Sequence, residues 1–239
     1  MRTSRLARWL TLAGLFMALA AQAADTAPLR PFAADYEVLR NGKELGRATL
    51  TLRDDGNGTW EFSSETHGTK GLAGMLGVDV VEKSTFRWRD GLPEGLSYRY
   101  AQQAAVKSRE RSIDFDWNSH QARTRDGKSE TTAPLQGTAM DRNLVTVGLM
   151  AALKTGTQDP HFPVVDKDRV ADQHYRVEGK ESLSLRSGPV EAMRAARVRE
   201  DNPGKQTTIW FAPHLDWLPV QIEQVDKGET VTLRFLHGD

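Results

Sequence analysis

The sequence predicts a mostly β protein: an antiparallel sheet of about a dozen strands, curled or closed into a barrel, with one inserted α-helix. Three observations predict it. Apolar residues recur at every second position along most of the chain. Turn dipeptides such as Asn41-Gly42, Asp90-Gly91 and Lys227-Gly228 separate these runs. One stretch, Asp141 to Lys154, shifts instead to helical spacing. Open sheets rarely exceed about ten strands without curling or splitting, so a barrel is the economical arrangement and a two-sheet sandwich the second.

The elements follow in order. Phe32, Ala34, Tyr36 and Val38 face one way and Asp35 and Glu37 the other; Asn41-Gly42 turns the chain into Ala48, Leu50 and Leu52. Asp54 to Gly58 turns it again into Trp60 and Phe62. Gly68 to Gly77 breaks the pattern with four glycines around Leu72, Met75 and Leu76, which reads as a flexible apolar loop or a frayed short helix. Strands resume over Val80 to Trp88, Leu96 to Gln102 and Lys107 to Trp117, and a weaker polar pair is split at Asp126-Gly127. The helix has Asp141 as a cap candidate, a stripe of Leu144, Val147 and Ala151, and Gly156 beyond its end. Asp159-Pro160 and Phe162-Pro163 read as a loop. Six strand segments follow: Tyr175–Val177, Leu183–Leu185, Val190 to Val198, Thr207 to Phe211, Val220 to Val225 and Val231 to Phe235.

The first 23 residues read as a secretory signal peptide rather than as part of the fold. Arg2, Arg5 and Arg8 precede an apolar run from Trp9 to Ala21, and Ala21-Gln22-Ala23 is a small-x-small cleavage site. The run is shorter than the roughly 20 residues that a membrane-spanning helix needs. Cleavage after Ala23 leaves residues 24–239 as one barrel-like domain in a bacterial periplasm. Three of the 32 basic residues fall in the leader, which leaves 29 against 32 acidic ones. That near-neutral surface argues against nucleic acid as a partner. There is no cysteine, which removes disulfides and a thiol nucleophile; with Ala24 after the cleavage site, no lipid anchor is expected.

Chemistry-bearing motifs are sparse, and no catalytic residue, metal or cofactor is assigned. The six histidines lack ligand spacing; His161, Asp166, Asp168 and His174 either converge in space as a metal set or, the reading that the lack of a motif favours, are loop polar residues. Neither Ser84 nor Ser187 has a nucleophile-elbow context, and Asp114 and Asp116 point to solvent by alternation. Binding is the better expectation. Trp60, Phe62, Phe86 and Trp88 either fill the core or line a cavity for an acyl chain. Leu72, Met75 and Leu76 form a hairpin tip or a lid over it. Arg109 and Arg111 share the inward parity of Ile113 and Phe115, which puts them at a cavity mouth facing an anionic head group, or at the barrel rim, unless a bulge flips the register.

Tyr36, Gly42-x-x-x-Gly46, Asp114-Phe115-Asp116, Asp141 opening the helix, Trp210-Phe211-Ala212-Pro213 and Leu218-Pro219-Val220 together resemble a family of exported bacterial proteins, domain of unknown function 3108. The resemblance spans Tyr36 to Phe235 and rests on architectural motifs. It implies a secreted barrel-like domain with no catalytic residues to carry over, its shape similar to that of periplasmic lipoprotein carriers, whose curled sheet wraps an apolar cavity. The Thr207–Phe211 and Val220–Val225 pair is expected to shut the barrel. The leading expectation is a periplasmic carrier of a lipid or other amphipathic envelope component. The alternatives are an accessory protein acting on envelope partners through its surface, and an envelope hydrolase.

Overall fold

The computed structural model describes residues 27–69, 78–105, 108–199 and 204–239. Residues 1–23, expected to be a signal peptide, and Leu72, Met75 and Leu76 lie outside the described residues. Among those described, 14 strands form one antiparallel sheet: β1 (Phe32–Arg40), β2 (Lys43–Asp54), β3 (Trp60–Gly68), β4 (Asp79–Arg89), β5 (Leu92–Gln103), β6 (Arg109–Asp116), β7 (Gln121–Asp126), β8 (Ser129–Pro134), β9 (His161–Asp166), β10 (Arg169–Leu185), β11 (Gly188–Arg197), β12 (Lys205–Ala212), β13 (Leu218–Asp226) and β14 (Glu229–Gly238). The helix α1 spans Leu144–Lys154, between β8 and β9. The expected barrel with one inserted helix is what the described residues form.

Local chemistry explains the meander. Asn41-Gly42, Asp90-Gly91 and Lys227-Gly228 each place both turn residues at positive φ, as two-residue hairpins of the twist-matching kind require. Register shifts at Asp35/Tyr36, Val38/Leu39, Thr85/Phe86, Val177/Gly179 and Trp210/Phe211 add curl to the sheet.

Strand order runs β8 to β1, then β14 back to β9, so β1 pairing with β14 joins the two halves. The sheet is therefore nearly closed, and its seam lies between β8 and β9. The β12–β13 pair, expected to shut the barrel, sits inside the sheet instead. The segment after β8 covers the seam: Met140 N–H donates to Pro163 O at 3.0 Å, Val165 N–H to Met140 O at 2.9 Å, and Gly95 N–H to Ala139 O at 2.9 Å.

Two further expectations are corrected. The Asp159-to-Pro163 stretch is not all loop, since His161–Asp166 is a strand that carries Pro163. Proline is tolerated because β9 is an edge strand, and Pro163 uses its carbonyl at the seam. The segments around Tyr175 and Leu183 belong to one strand of 17 residues, β10, whose polar middle and Gly179 hide its continuity.

The helix occupies the inside. It packs against β5, β9 and β13, strands set far apart in the sheet order. Every residue from Leu144 to Leu153 is buried except Thr146. The sequence suggested one apolar stripe; the helix is apolar on all sides, the signature of a helix with no solvent face. Its C-terminus closes as a Schellman motif: Gly156 at φ +83°, Gly156 N–H to Leu153 O at 3.0 Å and Thr157 N–H to Ala152 O at 3.0 Å. Lys154 reaches Asp216 at 2.5 Å, where a cation also favours the helix C-terminus.

Tyr36 ties the two halves together. Fully buried, its hydroxyl crosses β14 to donate to Pro219 O on β13 at 2.7 Å. Tyr36→Phe leaves that carbonyl without the donor, and a loss of about 1 to 3 kcal/mol in urea unfolding is expected.

Candidate functional site

One inward face on β4, β5 and β6 changes character along its length. Trp60, Phe62, Phe86 and Trp88 are all buried in the main core cluster with α1. Their rings pack edge-on or tilted: Phe86 and Trp88 at 5.1 Å between centroids, Trp60 and Trp88 at 6.0 Å, Trp60 and Phe86 at 6.4 Å. Two half-open clefts are described, one of about 230 Å³ by Lys180, Glu191 and His214, the other of about 300 Å³ by Glu178, Arg194 and Thr207. None of the four aromatics lines either.

Two residues further down each strand the same face turns polar. Ser84 and Glu82 follow Phe86 on β4, Tyr100 follows Tyr98 on β5, and Arg111 and Arg109 follow Ile113 on β6. Arg142, just before α1, completes this mouth. Tyr98 donates its hydroxyl to Glu82 Oε2 at 2.6 Å, and Arg142 Nε lies 3.0 Å from the same oxygen and 2.9 Å from the phenol. The guanidinium of Arg142 stands 5.1 Å from the Tyr100 ring centre and 5.8 Å from that of Tyr98. Such stacking adds cation–π attraction to the ion pair. Burial, then the Glu82 charge, drives the Tyr98 phenol upward, so it remains a donor.

Arg109 and Arg111 are at this rim. Arg109 is exposed and paired with Asp126 at 2.7 Å; Arg111 is mostly covered, with Asp166 at 3.8 Å. Both keep the parity read from the sequence. The Glu82–Tyr98–Arg142 cluster escaped that reading, because Arg142 lies 60 residues from Glu82. Glu82 itself sits in phase with Phe86 and Trp88, a signal available in the sequence.

Behind the mouth, Asp141 locks helix to sheet. Its Oδ1 accepts from Ser84 Oγ at 2.9 Å, Asn143 N–H at 2.9 Å and Leu144 N–H at 3.2 Å. It thus supplies the helix-start acceptor that Asn143, the first residue outside α1, does not. Asn143 Nδ2 bonds Ser84 Oγ at 3.1 Å and Phe62 O at 3.2 Å, which extends the lock to β3. Desolvation pushes the Asp141 carboxyl up to about 7 against those bonds. Ser84 and Asp141 are both completely buried, so the pair is sealed from any substrate.

The histidines fall elsewhere. His161 and His174 are not the loop residues expected but register partners across β9 and β10, rings parallel at 4.2 Å. Asp159 joins them; Asp166 and Asp168 sit at or beyond the far end of β9, beside the turn into β10. Asp114, on the solvent side as expected, bridges Arg99 at 2.6 Å and Arg125 at 3.0 Å.

A curled antiparallel sheet plugged by a buried helix defines the class: a β-barrel-like domain. The family described as protein of unknown function (DUF3108) matches residues 32–235, and the chain belongs to it. A solved structure, a beta-barrel-like protein of domain of unknown function DUF1849 from Brucella abortus, is similar in fold. It is 14% identical, covers 88% of this chain and 98% of its own, and gives a TM-score of 0.51. No curated protein matches the sequence.

Proposed function

We propose that this chain is an exported, periplasmic accessory protein of the cell envelope that works through its outer surface, without catalysis and without a cargo in its interior. The observation that carries this reading is the burial of α1 between β5, β9 and β13, where a carrier of this shape would hold its ligand. Of the four aromatics, Trp60, Phe86 and Trp88 pack on one another and Phe62 packs on Phe32, all in the same cluster as the helix. Export rests on the three arginines, the apolar run and the Ala21-Gln22-Ala23 site. The mouth offers Arg142 and Arg109, each about half exposed, beside Tyr100. Arginine and tyrosine dominate the energetics of protein interfaces, so this is the surface where an envelope protein would dock.

The test is native mass spectrometry of the protein purified from a periplasmic extract. The expected result is the bare mass of the chain from Ala24. A persistent additional mass of a lipid or acyl-bearing molecule, lost on denaturation, would overturn the surface reading and restore the carrier.

A further inference from the structure

We propose that Asp159, His161 and His174 form a binding site for a borderline divalent cation, zinc in the first instance, on the outside of the β9–β10 hairpin. One nitrogen from each imidazole and one carboxylate oxygen of Asp159 lie within 4.8 Å of one another. Two imidazoles with a carboxylate suit zinc, nickel or copper far better than magnesium or calcium, which take oxygen ligands. Three protein ligands leave a coordination position open to solvent.

The backbone that carries the three ligands is fixed. His161 and His174 face each other in the β9–β10 ladder. Tyr175 N–H donates to Pro160 O at 2.9 Å and Val177 N–H to Gln158 O at 2.9 Å, so the residues on either side of Asp159 are tied to β10. On its other edge β10 is held by Val198 N–H to His174 O at 2.9 Å. Two nitrogens on a tetrahedral zinc stand about 3.3 Å apart, given bonds of about 2.05 Å. Only side-chain rotation is needed to bring the three atoms to that spacing, and Asp159 and His161 are more than half exposed and free to make it.

A second carboxylate plays the orienting role that metal-bound histidines need. Asp172 Oδ2 lies 2.6 Å from His161 Nδ1. A ring that donates Nδ1–H there presents Nε2 with its lone pair, the arrangement by which an outer carboxylate fixes tautomer and orientation. Asp159 and Asp172 give the site two negative charges, with Arg176 as a nearby cation whose Nε is 4.0 Å from Asp159. His174 Nε2 to Asp159 Oδ1, now 2.7 Å, is the contact that a bound ion would replace.

The experiment is calorimetric titration of the purified protein with Zn²⁺ alone, in a buffer that does not chelate metals. One equivalent is expected to bind saturably. His161→Ala and His174→Ala should each weaken binding at least tenfold, while Asp168→Ala, beyond the other end of β9, leaves it unchanged. Circular dichroism of each metal-free variant checks that the sheet is intact. Mg²⁺ should give no saturable signal. Absent Zn²⁺ binding, binding that survives both histidine substitutions, or equal binding of Mg²⁺ would each overturn the site.

Discussion

Gly46→Ala is expected to destabilise the fold by about 3 kcal/mol or more, at the upper end of what overpacking costs. A Cβ at this position would lie 2.1 Å from the carbonyl oxygen of His67 and 3.2 Å from Gly68 Cα. Those atoms are backbone of β3, paired with β2 at Gly46↔Gly68, and cannot rotate aside as a side chain would. Either the strands part or the β2–β3 register slips, and a slip turns each inward residue outward. Gly42→Ala is the control. That residue has φ +76° and open space around it, so its cost is the left-handed backbone alone, about 1 to 2 kcal/mol. Urea unfolding of both variants checks the difference; equal losses would show that close approach at Gly46 is not the reason for glycine there.

Asp141 should produce the second large effect, in two separable parts. Asp141→Ala removes the acceptor shared by Ser84 and the first helical N–H groups, and a loss of about 3 kcal/mol is expected at pH 5, from a helix cap and buried donors left unpaired. The second part depends on pH. The carboxyl is raised from 3.8 to about 7 in the folded protein, so the folded state binds more protons than the unfolded one between those values. Stability from this group is therefore fully present below about pH 4 and is lost as pH rises through 7, on the order of 4 kcal/mol in total. Asp116, Asp126 and Asp159 are held below their ordinary range, chiefly by hydrogen bonds from Ser119, Arg109 and His174, so their contributions are lost instead as pH falls. The difference between wild type and Asp141→Asn cancels these common terms. It should shift toward the variant between pH 5 and pH 8. A flat difference would mean that Asp141 ionises in the fold as freely as in water.

Legibility in the sequence followed the range of the interaction. Hairpins written in adjacent residues, such as Asn41-Gly42 and Asp90-Gly91, could be read directly because positive φ at both turn positions is a local demand. The helix end at Gly156 was legible for the same reason. β9 was not, because two prolines within four residues mimic a loop unless an edge position is known. With β9 read as loop, nothing in the sequence favoured convergence of the histidines over scattered loop residues. His161 and His174 are symmetric about the same turn that sets Asp166 opposite Arg169, and only a strand on both sides makes that symmetry visible. The mouth depended on a still longer reach, since Arg142 meets Glu82 only once the chain has passed through β5 to β8. The family motifs prove architectural at particular atoms. Gly46 is the close approach to β3, Tyr36 and Pro219 are two ends of one hydrogen bond, and Trp210 donates its indole N–H to Glu181 at 2.7 Å.

The absence of cysteine makes the central claim, a sheet closed around its own helix, directly measurable with single thiols. Val147, completely buried on α1, is replaced in Val147→Cys by a side chain of similar size, and Thr155→Cys places a thiol at the exposed end of the helix. With a thiol-reactive chromogenic disulfide under native conditions, Thr155→Cys should react within the mixing time, and Val147→Cys only at the rate of global unfolding. Prompt reaction at position 147, in a variant whose circular dichroism matches wild type, would contradict the account.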